Sequence, residues 1–240
     1  MKLQKLLTLS FLMLLVSTTS VFAQQFSIPL EGFSRKKTAY LHMEDGTKLE
    51  GTLAGFKRSK GLIEAVKMKD ANGEKLKIDP ATISYMYLAS SNLARLGAAM
   101  EAVGSIRNWE KETNMDTTLM NDGYVYFEKS STKIKKKTND LMLQLMNASF
   151  SSKIKVYHDP FASESMALSI GDITVAGGLD KSYYIKKSDD ELAIRLFKRD
   201  YKEMFITLFG DCPEVMDAYG DNIKWSELET HIYEYTQHVK

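Results

Sequence analysis

The fold is decided between residues 38 and 89, a stretch that reads TAYLHMEDGTKLEGTLAGFKRSKGLIEAVKMKDANGEKLKIDPATISYMYLA. Apolar and polar side chains alternate along it, as they do in half-buried strands. Val66 and Met68 share one face, for example, and Lys67 and Lys69 share the other. The pattern predicts short strands at 38–43, 48–56, 62–69, 74–78 and 83–89.

Glycines mark the turns and one bend in this stretch. Asp45-Gly46 and Asn72-Gly73 are typical of tight type I′ hairpin turns. Gly51 and Gly55 lie inside one strand, where residues without a side chain allow a sheet to bend sharply. We therefore predict a small SH3-like or Sm-like barrel unit over residues 24–89.

After this unit the apolar residues recur at helical spacing, which predicts a linking helix over 90–115. Strand patterns return in a second antiparallel β-sheet unit over 116–198, where the lysine-rich stretch 130–140 is predicted to be a charged turn. The strands of this unit are predicted at 124–129, 141–147, 153–159, 165–170, 173–178, 181–187 and 192–197.

The last segment, 199–240, is predicted to be helical, with Ser226 and Glu229 at the spacing of a capping box. Taken together, the patterns indicate a mostly β fold with helices, of the α+β class.

The N-terminus has the three parts of a secretory signal peptide. Lys2 and Lys5 precede an apolar run, and a polar stretch ends at Ala23, after which we predict cleavage. No later apolar run is long enough to cross a bilayer as a helix. The sequence therefore predicts an exported protein, periplasmic or extracellular. Its net charge of +1 gives no general attraction to nucleic acid.

Several stretches, YLHMEDGTKLEGTLAGF, KIKVYHDP, AGGLDKSYYIKK and LFGDCPE, resemble a recurrent type of exported protein of unknown function from Bacteroidota-like bacteria. The resemblance covers most of the chain that follows residue 23. Its motifs are strand and turn patterns, so it implies an exported location and a β-rich fold and assigns no catalytic residue.

Cys212 is the only cysteine in the chain. With Asp211 as N-cap and Glu214 three residues further on, it is predicted to lie in the first turn of a helix. A helix N-terminus lowers a thiol pKa, but the two neighbouring carboxylates oppose a thiolate. We interpret Cys212 as a structural, mostly buried thiol.

A second candidate for chemistry is the loop VYHDPFASES, which carries His158, Asp159, Ser163, Glu164 and Ser165. These residue types suit a hydrolase, although adjacent His and Asp in a sequence do not make a catalytic triad. His231 and His238 are two helical turns apart, too far to share a metal ion. The sequence accordingly names no catalytic, cofactor-binding or metal-ligating set.

Two surface features suggest binding. Lysines cluster at Lys129, Lys133, Lys135, Lys136 and Lys137, with Lys153 and Lys155 nearby. They form either a site for an anionic glycan, a lipid headgroup or an acidic protein, or a solvated hairpin whose lysines discourage strand pairing.

Tyrosines recur in three strands and suit sugar- or peptide-binding surfaces, or simply core packing. These are Tyr85 and Tyr87, Tyr124 and Tyr126, and Tyr183 and Tyr184.

The first hypothesis is an exported, non-catalytic binding or envelope-associated protein whose partner is an envelope protein or a glycan. The alternative is a periplasmic or secreted hydrolase that uses the His158 loop or Cys212.

Overall fold

The computed structural model describes residues 26–30, 32–59, 61–91, 109–110, 113–134, 136–162, 168–170, 173–176 and 179–239. The predicted signal peptide, most of the predicted linking helix, and Ser163, Glu164 and Ser165 lie outside the described residues.

A curled antiparallel sheet of seven strands, here called the half-barrel, forms the larger part of the molecule. Its strands are β1 (Thr38–Met43), β2 (Lys48–Ser59), β3 (Leu62–Lys69), β4 (Lys75–Ile78), β5 (Ile83–Ala89), β6 (Tyr124–Ile134) and β7 (Lys137–Gln144). They lie in the order β4-β3-β2-β1-β5-β6-β7, so the sheet continues from the first predicted unit into the second. The mostly β fold predicted from the sequence is confirmed.

The turns of the half-barrel differ from the predicted type. In the β1–β2 hairpin and in the β3–β4 hairpin three residues separate the last paired residues, and the loop ends in a glycine with positive φ, Gly46 (85°) or Gly73 (83°). Each loop is held by an aspartate: Asp45 accepts from Thr47 N at 2.9 Å, and Asp70 accepts from Glu74 N at 2.8 Å. These are three-residue loops with a terminal left-handed glycine rather than type I′ turns.

The predicted bend in β2 has a clear cause. The pairing of β2 with β3 shifts between Leu53 and Gly55, and Gly55 has a φ of 151°. At Gly51 a Cβ atom would lie 2.2 Å from the backbone oxygen of Lys69. The strand therefore curls where glycine allows close approach and a bulge, and the concave side encloses a core. That core is built from Leu41, Leu53, Val66, Met68, Met86, Leu88, Phe127 and other apolar side chains.

A smaller sheet of three strands follows, in the order β12-β11-β8. Its strands are β8 (Ile154–His158), β11 (Ser182–Lys187) and β12 (Ile194–Phe197), and β9 (Leu168–Ile170) pairs with β10 (Ile173–Ala176) in a separate ribbon.

Two contacts join the two sheets, so that five strands form a closed ring in the order β6-β7-β8-β11-β12. Leu145 pairs with Tyr157 at one side, and Thr132 pairs with Ala193 at the other. The β6–β7 hairpin thus belongs both to the half-barrel and to this five-stranded ring.

The lysine-rich stretch 130–140 is paired rather than looped, so the prediction of a charged turn there is wrong. β6 runs to Ile134 and β7 begins at Lys137, which leaves only residues 135 and 136 to connect them. The hairpin forms because each strand supplies the hydrogen-bonding partners of the other, despite the low strand propensity of lysine.

Helices cover the outer face of the three-stranded sheet. They are α2 (Tyr201–Phe209), α3 (Pro213–Tyr219) and α4 (Leu228–His238), and a short helix, α1 (Thr117–Asn121), precedes β6. Between sheet and helices lies an apolar core that includes Phe150, Val156, Ile185, Phe205, Phe209, Trp225 and Ile232.

The predicted capping boxes do not form. Ser226 lies inside a 3-10 turn, Trp225–Glu227, and α4 has no side-chain cap. The N-cap residue of α3 is Cys212, not Asp211. The Asp211 carboxylate does not cap the helix because it accepts hydrogen bonds from Lys187 Nζ at 2.9 Å and from Tyr235 OH at 2.8 Å.

The N-terminal segment, residues 26–30, is tied to the middle of the chain. Ser27 N donates to Met146 O at 2.7 Å. The Gln144 amide accepts from Leu30 N at 2.7 Å and donates to Ile28 O at 2.8 Å. Phe26 packs edge-on against Tyr183, with ring centroids 5.3 Å apart. The segment therefore closes the end of the half-barrel against the smaller sheet.

Candidate functional site

Aromatic side chains line up across β1, β5 and β6 on the convex face of the half-barrel. We call His42, Tyr85, Tyr87 and Tyr126 the tyrosine row. His42 lies opposite Tyr85, and Tyr87 lies opposite Tyr126, so the strand register itself brings the rings together. Centroid distances are 4.2 Å for His42–Tyr85, 5.6 Å for Tyr85–Tyr126 and 5.1 Å for Tyr87–Tyr126. Tyr87 and Tyr126 are buried, whereas His42 and Tyr85 reach solvent.

A polar group of three residues adjoins the row, and we call it the Glu128 cluster. Glu128 lies opposite Tyr85 on β6, and its carboxylate accepts from Tyr157 OH at 2.6 Å and from Lys155 Nζ at 2.8 Å. Only 14% of the Glu128 side chain is exposed, against 39% for Lys155. The cluster therefore lies inside the five-stranded ring and opens to solvent at the lysine.

The electrostatics of the site follow from burial. Burial raises the pKa of the Tyr157 phenol well above its ordinary value, and the nearby Glu128 charge adds to the increase. The pKa of Tyr126 is raised for the same two reasons, in the same order. Partial burial, followed by the charge of Lys48, lowers the pKa of His42. At neutral pH the phenols and the imidazole are therefore uncharged, and Glu128 and Lys155 balance each other.

The groups of this site are suited to binding a ligand. Ring faces and edges pack against apolar C–H groups, and phenol hydroxyls, an ammonium group and a carboxylate form directed hydrogen bonds. Ligand sites commonly combine an aromatic lining with a few placed polar groups at the mouth of a barrel. The arrangement suits a neutral ligand rich in hydroxyl groups.

The tyrosines singled out in the sequence divide into those of the row, those of the smaller sheet, and Tyr124, which is buried and packs against Tyr40 with ring centroids 5.9 Å apart. Tyr85, Tyr87 and Tyr126 come together in the row. Tyr183 and Tyr184, both almost fully buried, point to opposite faces of the smaller sheet and belong to different cores.

Sequence reasoning missed Glu128 and Tyr157. Both lie in strands that the sequence predicts, but only the register of β5 with β6 brings Glu128 to the row, and only the bridge of Tyr157 to Leu145 brings Tyr157 to Glu128.

In the described part of the His158 loop, which ends at residue 162, His158 and Asp159 have different partners. His158 and Asp159 are neighbours at the end of β8, so their side chains point to opposite faces of the strand. His158 Nε2 lies 3.7 Å from Asp180 Oδ2. Asp159 is fully buried and accepts hydrogen bonds from Ser182 Oγ, Arg195 Nε and Phe161 N. Its carboxylate is saturated by these contacts and holds the loop in place.

Cys212 is 1% exposed and is thus a buried thiol, as predicted. Burial raises its pKa, and Glu214, whose carboxylate lies 3.5 Å from the sulfur, opposes ionisation further. The thiol is therefore protonated at neutral pH and is not an activated nucleophile.

The remaining histidines lie in α4. His238 pairs with Glu234 at 3.4 Å on the surface. His231 is fully buried among aromatic rings, and its Nδ1 lies 2.5 Å from Tyr201 OH. Among the described residues no group of three or more His, Cys, Asp or Glu side chains could hold a metal ion.

The predicted lysine cluster is dispersed. Lys129 pairs with Glu44 at 2.5 Å and Lys155 with Glu128 at 2.8 Å. Lys133, Lys136 and Lys137 are exposed near the tip of the β6–β7 hairpin. The part of this cluster that the structure describes therefore serves two different surfaces.

Comparison of the chain with protein-family profiles, with curated proteins and with solved structures finds no match. In the part of the chain that the structure describes, no helix has the length and apolar character needed to cross a membrane.

Proposed function

We propose that the protein is an exported, non-catalytic binding protein of the cell envelope that holds a glycan at the tyrosine row. The observation that carries the proposal is the convergence of His42, Tyr85, Tyr87 and Tyr126 on the Glu128–Lys155 pair. An envelope protein is the other partner considered, and the experiments below separate it from a glycan.

The composition of the site supports a neutral sugar. Tyr85 and His42 offer apolar ring surface to the C–H face of a pyranose, and Lys155 and the Glu128 carboxylate offer a donor and an acceptor to its hydroxyl groups. Because the lysine and the carboxylate neutralise each other, the site has no charge with which to prefer an ionic ligand.

Calorimetric titration of the protein with neutral oligosaccharides of β-glucan, xylan, mannan and chitin type tests the proposal. We expect saturable binding to at least one series, and a five- to tenfold weaker affinity in Tyr85→Ala, because the lost ring contact contributes about 1 kcal/mol. Tyr233→Ala is the matched control, since Tyr233 is equally half-buried but packs on Phe150 beyond the smaller sheet. Equal affinities of the two variants, or no binding to any series, would reject the glycan site.

Export is tested separately. The chain is expressed with its own N-terminus in a Gram-negative host. We expect to recover it outside the cytoplasm, with the mass of a chain whose first residue is Gln24. Recovery of the intact chain from the cytoplasm would contradict this part of the proposal.

A protein partner, rather than a glycan, would be indicated by crosslinks from residue 85 to an envelope protein together with no affinity for any of the sugars.

One observation keeps the hydrolase alternative open, namely the approach of His158 to Asp180, since a carboxylate can orient a histidine for general-base work. Hydrolysis of chromogenic ester or glycoside substrates that is lost in His158→Ala would favour this function. Activity that persists in His158→Ala would remove the His158 loop from consideration.

A further inference from the structure

A second surface, distant in sequence from the tyrosine row, combines aromatic rings with arginines. The guanidinium of Arg195 lies 5.6 Å from the ring of Phe161 and 4.5 Å from that of Phe197. The guanidinium of Arg199 also lies over the Phe197 ring, 4.9 Å from its centroid. These four residues alternate ring and cation, and we call them the Arg–Phe ladder.

The inner half of the ladder is held by a buried group. Asp159, which is fully buried, accepts from Arg195 Nε and, through its other oxygen, from Phe161 N at 2.9 Å. Ser182 Oγ donates to the same Asp159 oxygen that binds Arg195. One carboxylate therefore positions both the first ring and the first arginine, so that little conformational entropy is lost on binding.

The outer half of the ladder is open to solvent. Arg199 is 79% exposed, and Phe161, at 37%, is among the large apolar side chains that the described chain leaves exposed. The surrounding charge is positive on balance, since Lys181, Lys198 and Lys202 are exposed beside Asp200 and Glu203. Asp200 lies 3.3 Å from Arg199 Nε, which leaves the terminal amino groups of that guanidinium available.

We propose that the Arg–Phe ladder binds an acidic polysaccharide, one whose sugar rings carry carboxylate groups. A guanidinium fork matches a carboxylate, and a phenyl face packs against the C–H face of a sugar. A polyuronate repeats these two features along its length, so one sugar ring can pack on the exposed Phe161 while the carboxylate of another sugar of the same polymer binds the exposed Arg199. A single-stranded nucleic acid also alternates charge and planar groups; the exported location proposed above favours the polysaccharide, and oligo(dT) is the competing ligand in the test.

Affinity electrophoresis of the full chain through gels containing polygalacturonate tests this inference. Fully methyl-esterified polygalacturonate is the matched ligand control, because it has the same backbone without the charges. We expect retardation by the acid that weakens with added salt, and none by the ester. Equal retardation by both polymers, or a stronger response to oligo(dT) than to polygalacturonate, would overturn the proposal.

Three variants assign the interaction to the ladder. Arg199→Gln is expected to weaken binding about tenfold, since a charge-assisted hydrogen bond is lost. Phe197→Leu is expected to weaken it without changing the charge. Arg58→Gln removes the same charge from another arginine that covers a phenylalanine, Phe56 at 5.1 Å, and should leave binding unchanged.

Equal losses in Arg199→Gln and Arg58→Gln would show a non-specific charge effect and reject the ladder. Tyr85→Ala should bind polygalacturonate like the unmodified chain, so the failure of the tyrosine row as a glycan site would leave this result intact.

Discussion

Buried ionisable side chains in this protein differ in how completely their neighbours satisfy them. The Asp159 carboxylate accepts three hydrogen bonds, and the Glu128 carboxylate is bound by a phenol and an ammonium group. His231, in contrast, has one nitrogen bound to Tyr201, and among the described residues its Nε2 has no hydrogen-bond partner, with Glu227 Oε2 lying 3.8 Å away. The first two sites stabilise a charge, whereas the third is stable only while the imidazole is neutral.

The pH dependence of stability follows from His231. Burial lowers its pKa to about 4, and the repulsion from Lys224 adds to this while Glu227 opposes it. The ordinary value is 6.5, so between pH 6.5 and pH 4 the unfolded chain binds a proton that the folded chain does not. The free energy of unfolding should therefore fall by about 3 kcal/mol over this interval on account of His231.

Urea titrations at several pH values measure this loss. His231→Gln, which stays neutral, should show a smaller decrease towards pH 4 than the unmodified chain. His238→Gln is the control, since His238 lies on the surface. The same pH profile in all three chains would contradict the role given to His231.

At Cys212 the N-cap position decides the effect of substitution. A serine there can accept hydrogen bonds from the first backbone N–H groups of α3, which offsets the burial of its hydroxyl. We expect Cys212→Ser to change the free energy of unfolding by less than about 1 kcal/mol and Cys212→Ala to reduce it by about 1 kcal/mol. Urea denaturation measures both, and a loss above about 3 kcal/mol in Cys212→Ser would argue against a capping role.

At the scale of the element, β2 shows how backbone contacts restrict a strand. Its first half passes so close to β3 that position 51 has no room for a side chain, and its second half turns away through the bulge before Gly55. The curl of the half-barrel, and with it the convex face that holds the tyrosine row, depends on this strand.

Substitution at Gly51 tests the dependence. Gly51→Ala should lower the free energy of unfolding by about 3 kcal/mol, because its Cβ would press on a backbone oxygen of β3 that cannot move without breaking the ladder. Gly46→Ala, at a turn with nothing within 4 Å of the new atom, should cost about 1 kcal/mol through its positive φ alone. Thermal or urea unfolding gives both values, and similar losses would contradict the steric explanation.

The elements also show what a sequence can predict. β1, β3 and β5 begin and end where alternation and turn residues place them, because those signals are local. The lysines at 130–140 predict a charged turn because the pairing partner of each strand in the β6–β7 hairpin does not show in a local pattern. Asp211 is predicted to be a cap because Lys187, the residue that binds it, is remote in sequence. The tyrosines of the row could be named from alternation, but Glu128 becomes their neighbour only through strand register.

At the scale of the whole molecule, the β6–β7 hairpin is a wall of both the half-barrel and the five-stranded ring. Neither structure can lose this hairpin and keep its core, so the two should unfold together. Trp225 lies in the core beneath the helices, and Trp109 packs against the cluster of Tyr87, Tyr126 and Tyr157 that the half-barrel and the ring share, so the two tryptophans report on two different cores.

We therefore expect a single unfolding transition. Fluorescence of Trp109→Phe and of Trp225→Phe should report the same urea midpoint, equal to that from circular dichroism, after correction for any stability change seen by circular dichroism. Two separate midpoints would show that these two cores unfold independently.

The docking of the N-terminal segment has a kinetic consequence. Ser27 and Leu30 bond to residues 118 and 114 positions further along the chain, so these contacts form only after more than half of the chain has been made. Contacts of such long range slow folding to milliseconds or seconds. For a chain proposed to leave the cytoplasm, this delay is useful, because a polypeptide that has not yet closed on itself can still be threaded through a narrow channel.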